Sequence, residues 1–108
     1  MSEHVEIQVT CGSGEEAEAI SRGLVDARLV ACAQAVPIRS VYVWEGEVQH
    51  DDEVLVLLKT RADRFDAVAD WVHEHHSYDL PAVTAVPLAG TPGYLAWVDE
   101  SVIGRPQA

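Results

Sequence analysis

Basic residues are scarce in this chain: seven Lys and Arg stand against eighteen Asp and Glu, for a formal net charge of −11. A surface that binds phosphates needs clustered cations, and these seven are scattered. Nucleic acid is therefore not an expected partner; the negative field repels anions and mildly concentrates cations. Long apolar runs are also missing. No stretch approaches the ~18 apolar residues of a membrane helix, and Met1, Ser2, Glu3 and His4 form neither a basic nor an apolar leader region. No membrane partner is expected, and the expected location is cytoplasmic. Cysteine is limited to Cys11 and Cys32. Without a CxxC pair they indicate neither a zinc knuckle nor a thioredoxin motif, and in a cytosolic chain both should be reduced.

What remains is ordinary globular material, 48% apolar and 23% charged over 108 residues, enough for one domain with one core. The expected domain is 1–108, with its core over about 4–102 and a tail over 103–108. Val5 to Thr10 alternates apolar and polar, predicting a strand with Val5, Ile7 and Val9 inward. Ser13 with Glu16 three residues later is a capping box. It opens a helix whose Ala17, Ile20, Leu24 and Ala27 share one face. A long hairpin follows. Its strands run back from Trp44 through Pro37 towards Ala31, and forward through a polar piece, Gln49 to Glu53, into Val54 to Leu58. Glu45-Gly46 makes the turn, with Gly46 taking a positive φ. Thr60, boxed with Asp63, is expected to start a second helix carrying Phe65, Val68, Ala69 and Val72, with His75 and His76 continuing the stripe. Ala82 to Leu88 reads as a fourth strand. Thr91-Pro92 opens a short last helix. The order is that of a ferredoxin-like, split βαβ, α+β domain with both main helices on one face of an antiparallel sheet. Such a hairpin projects beyond a small domain and leaves Tyr42 and Trp44 uncovered; the simplest cover is a second copy of the chain.

The polar residues best suited to chemistry are Cys11, at the exit of the first strand, and His75 and His76, at the exit of the second helix. A thiolate with two imidazoles suits copper or zinc. All three must lose protons to bind, so affinity should fall in acid. These two exits need not coincide within a subunit, but they can meet across a subunit boundary. A plainer account makes His75 a satisfied core residue and His76 a C-terminal helix residue matched to the helix dipole. Adjacent helical residues point about 100° apart, so both serve one ion only where the helix has ended. A thiol enzyme would use Cys11 as nucleophile, a histidine as base and Asp79 to orient it. A nucleotide loop is excluded, because Cys-Gly-Ser-Gly-Glu-Glu lacks GK[ST] and sets two carboxylates where phosphate would sit.

The ordered set Cys11; Leu29 to Ala33; Pro37; Ser40, Tyr42 and Trp44-Glu45-Gly46; Asp52-Glu53; Leu58-Lys59-Thr60; His75 to Tyr78; Pro81; and Tyr94 to Trp97 resembles the CutA family of divalent-cation tolerance proteins. The resemblance implies a ferredoxin-like subunit and a homotrimer in which the hairpins extend sheets between subunits, with Tyr42, Trp44, Glu45 and Gly46 at the interface. It further implies binding of copper or a similar soft ion by Cys11, His75 and His76 at subunit boundaries, a role in the response to metal ions, and no enzymatic activity. No cofactor is expected to be needed for folding. The alternative is a trimeric scaffold or signalling adaptor for a protein or small metabolite. Two positions depart from the family: Ser77 replaces the proline of His-Pro-Tyr, and Ala82 replaces a glutamate. The first should loosen the loop after the histidines; the second removes a carboxylate expected near the cleft.

Overall fold

The computed structural model describes residues 3–102, so the expected tail over 103–108 lies outside the described residues. Four strands, β1 (His4–Cys11), β2 (Cys32–Trp44), β3 (Glu47–Arg61) and β4 (Val83–Pro87), form one antiparallel sheet in the order β2-β3-β1-β4. Helices α1 (Gly14–Asp26), α2 (Phe65–His75) and α3 (Pro92–Ser101) complete the ferredoxin-like layout.

Period-two alternation in β1 builds the core. Ile7, Val9 and Cys11 are fully buried and Val5 nearly so, and they meet Val56, Leu58, Val68, Val72 and the α1 residues Ala17, Ile20 and Leu24. Ala27, expected on that face, is exposed and caps the helix end. Beyond it Arg28 takes φ 60°, Leu29 N–H bonds the Leu24 carbonyl and Arg28 N–H bonds that of Val25. This is a Schellman closure, with an arginine in the left-handed position that glycine usually holds. The opposite sheet face carries α3: its Asp99 accepts from Arg61 and pairs with His4 Nε2, both contacts at 2.9 Å.

The hairpin is longer than its neighbours can cover. β2 and β3 pair from Cys32↔Lys59 out to Trp44↔Glu47, whereas β1 pairs with β3 only from Arg61 back to Val54. Residues from Ile38 to Glu53 therefore form a two-stranded arm, and the molecule measures 43 Å along one axis against 27 and 24 Å. The polar stretch Gln49 to Glu53 is strand throughout. Glu45 and Gly46 both have positive φ, 51° and 81°, which is the primed turn that matches strand twist. Pro37 lies in edge strand β2, where a missing donor is tolerated.

Thr60 does not open the second helix. It is the penultimate residue of β3, fully buried, and its hydroxyl donates to the Leu29 carbonyl at 2.7 Å. A 3-10 turn, Ala62–Arg64, leads into α2, and Asp63 pairs with Arg61 rather than capping. The helix-capping tendency of a threonine loses here to a long pairing register and a buried hydroxyl with a partner.

The two main helices approach at Gly23, where an added Cβ would lie 2.3 Å from the Trp71 ring. Exchanging a mid-helix glycine for alanine ordinarily stabilises by about 1 kcal/mol. Gly23→Ala is expected instead to destabilise by about 1–3 kcal/mol through overpacking, read as a lower midpoint in denaturant.

Candidate functional site

β1 ends at Cys11, and Gly12 and Ser13 turn the chain into α1. The Ser13 hydroxyl accepts from Glu16 N–H at 3.1 Å, so the predicted N-cap forms. The Glu16 carboxylate then reaches further than a capping box requires. One oxygen accepts from Gly12 N–H at 3.3 Å, and the other from Ser77 N–H at 2.8 Å, beyond the end of α2. The loop expected to loosen where serine replaces proline is thus tied down, because Ser77 has the N–H that proline lacks.

α2 stops at His75 and His76 turns to an extended conformation, which sends the two imidazoles to different places. His75 stacks on Trp71, ring centroids 3.8 Å apart, and its Nδ1 meets the Trp71 carbonyl at 2.7 Å. The His76 side chain is fully buried. Its Nε2 lies 2.8 Å from the Thr10 carbonyl, its Nδ1 accepts from Tyr78 N–H at 3.0 Å, and Nδ1 is 3.6 Å from Glu16. These partners specify the neutral tautomer with the proton on Nε2.

Within one chain, therefore, the structure gathers Cys11, Glu16 and His76, with one donor atom of each within 4.8 Å of the others. His75 is not part of this group. The strand and helix exits meet inside the subunit, whereas the sequence pointed to a meeting across a boundary. Glu16 was legible only as a cap; nothing in the spacing signals that its carboxylate would span two elements.

Burial pushes the Cys11 thiol up to about 11, with the nearby carboxylates of Glu16 and Glu53 adding to the shift. An unassisted thiolate nucleophile is disfavoured by this environment, since reactive cysteines sit in electropositive surroundings. Burial also pushes Glu16 upward, but the hydrogen bonds from Ser77 and Gly12 outweigh it and hold the carboxyl below its usual range. Asp79, the orienting residue of the enzyme reading, lies on the loop lining a neighbouring groove, apart from the donor group.

That groove, about 720 Å³, runs between the hairpin arm and the loop after α2. Tyr42 and Trp44 open onto it, 38% and 42% exposed, and Tyr78 crosses from the Cys11 side to donate its hydroxyl to Glu53 at 2.6 Å. The Tyr42 hydroxyl donates to Asp51 and is held up to about 12 by that bond. Glu45 and Gly46 lie at the tip of the arm.

Fold and site together define a small ferredoxin-like protein with an extended sheet arm and a buried cluster of thiol, imidazole and carboxylate. A family model for the CutA1 divalent ion tolerance protein matches residues 5–101. The chain belongs to that family. It is 39% identical over 100 residues to the divalent-cation tolerance protein CutA of Archaeoglobus fulgidus, covering 92% of this chain and 98% of that one. It is 40% identical over 96 residues to a CutA homolog of Xenopus laevis, covering 87% of this chain but 64% of the longer relative. The crystal structure of CutA1 from Oryza sativa superposes with a TM-score of 0.92 at 36% identity, over 96% of this chain and 97% of that one.

Glu16 ties β1, α1 and the loop after α2 through a carboxylate, so its contribution should depend on ionisation. Its folded pKa is depressed; the stabilisation is therefore present above the unfolded pKa and lost as pH falls through the folded one. Glu16→Ala is expected to cost about 1–3 kcal/mol at neutral pH. The gap from wild type should narrow below the ordinary carboxylate range, as measured by denaturant melts across pH.

Proposed function

We propose that this protein is a homotrimeric, cytoplasmic divalent-cation tolerance protein that holds copper or a similar soft metal ion at Cys11 and His76, with Glu16 as the third donor. The observation that carries the reading is the convergence of those three donors within 4.8 Å. One sulfur, one nitrogen and one oxygen donor form a set that suits zinc or copper and not magnesium or calcium. The donors fit such an ion in type and proximity, with Glu16 and His76 hydrogen-bonded and Cys11 buried in the folded chain. His76 Nδ1 would have to release Tyr78 N–H, and Cys11 would have to lose a proton held up to about 11. A bound cation would offset the two carboxylates that disfavour the thiolate. The ion is held and released, and no turnover chemistry is part of this reading.

Assembly is supported by the arm, whose Val41, Val43 and Val48 are each more than 60% exposed in the single chain. Apolar ribbon of this extent is expected to be covered. Names of relatives give differing locations, one Arabidopsis thaliana relative being chloroplastic and the Archaeoglobus fulgidus structure periplasmic.

Titration of Cu(I), Cu(II) and Zn(II) into wild type and single variants tests the donors. Cys11→Ala and His76→Ala should each weaken binding about tenfold or more, and Glu16→Gln should weaken it as well, while His75→Ala should leave it unchanged. Affinity should rise with pH, because the thiol proton must leave at any pH below about 11. Loss of binding in His75→Ala alone would transfer the site to the boundary arrangement.

Solution mass provides the check on assembly. Light scattering at micromolar concentration should give a trimer, and a charged substitution on the arm, Val43→Glu, should reduce it to monomer. A monomeric wild type would remove the assembly reading.

A further inference from the structure

Two of the three donors in the cluster are already held by consecutive backbone N–H groups of one loop. Glu16 Oε2 and His76 Nδ1 lie 3.6 Å apart. Glu16 Oε2 accepts the Ser77 N–H at 2.8 Å, and His76 Nδ1 accepts the Tyr78 N–H at 3.0 Å. The His76 side chain is fully buried and that of Glu16 is 17% exposed, so water replaces these bonds poorly when they break. The other Glu16 oxygen is held more loosely, by Gly12 N–H at 3.3 Å.

We infer that Ser77 sets how tightly the cluster holds a soft divalent cation, by supplying a backbone N–H that competes for Glu16; this rests on the metal reading above. A carboxylate oxygen in a short, charge-assisted bond is less available to a cation. Nδ1 of a neutral imidazole has a single lone pair, which cannot serve an N–H and a metal together. The contact arises because α2 ends at His75. His76 is extended, with φ −95° and ψ 146°, and the next two N–H groups turn back onto Glu16 and onto the His76 ring. A proline at position 77 would have no N–H to give. The His76 conformation is one that a residue before proline prefers, so the backbone there accepts the exchange. Glu16, His76 and Ser77 do not line the groove beside the arm. Their contacts are made within one subunit and do not depend on what covers that groove.

The test is calorimetric titration of Zn(II) into the assembled protein as wild type, Ser77→Pro and Ser77→Ala. Ser77→Pro should bind about tenfold tighter than wild type or more, the worth of one hydrogen bond to a charged group. Ser77→Ala keeps the N–H and should change affinity far less. In wild type, amide exchange at Ser77 and Tyr78 should be slowed in EDTA and should accelerate on Zn(II) saturation, while Ile7 and Leu58 in the sheet stay protected. If Ser77→Pro binds no tighter while Cys11→Ala and His76→Ala still weaken binding, Ser77 is no competitor and the metal reading stands. Unchanged exchange at Ser77 and Tyr78 on saturation would overturn the inference in the same way, without any variant. Binding by neither wild type nor Ser77→Pro would remove the metal reading and this inference with it.

Discussion

Strand β1 is the constraint on which the structure depends. It is paired on both sides within the body of the domain, by β3 and by β4, and it sends alternate residues into a dry core. Because side chains alternate with a period of two, the register that buries Val5, Ile7 and Val9 also buries Cys11. The thiol is therefore in the core for the same reason as the valines. Its suppressed acidity follows from that placement, with the Glu16 and Glu53 carboxylates adding to it.

Glu16 converts this local order into a site. Its carboxylate accepts one N–H from the β1–α1 turn and another from the loop after α2, and it lies beside His76. Three distant segments of sequence are joined at one charged group in a mostly buried setting, where a charge-assisted bond is stronger than on the surface. Under the proposed metal reading, the same contacts couple ion binding to proton release and local stability. Each donor already has a structural duty, so occupying the cluster must loosen something that holds the fold.

The arm follows a different rule. β3 continues past the end of β1, and beyond that point β2 has only β3 for company. A two-stranded ribbon is marginal in water on its own; its exposed valines and rings are better explained by what covers them than by what lies beneath. The groove at its base is lined by Tyr42, Trp44 and Glu53 of the arm and by Tyr78 and Leu80 of the loop after α2.

Much of this was legible in the chain. Alternation in Val5 to Thr10, the Ser13 cap, the Glu45-Gly46 turn and the Thr91-Pro92 start are local signals, and each formed as read because local sterics and hydrogen bonding decide it. Thr60 misled because a threonine followed three residues later by an acid is equally compatible with a helix cap and a strand end, and only a buried partner at Leu29 resolves the choice. Cys11 and His76 could be singled out by chemical type. Their meeting inside one subunit, the turning away of His75 onto Trp71, and the inclusion of Glu16 and Glu53 were decided by the tertiary structure. The reason is physical: side-chain direction at the end of a helix depends on where the helix stops and what packs there, and a carboxylate's partners are set by segments far away in sequence.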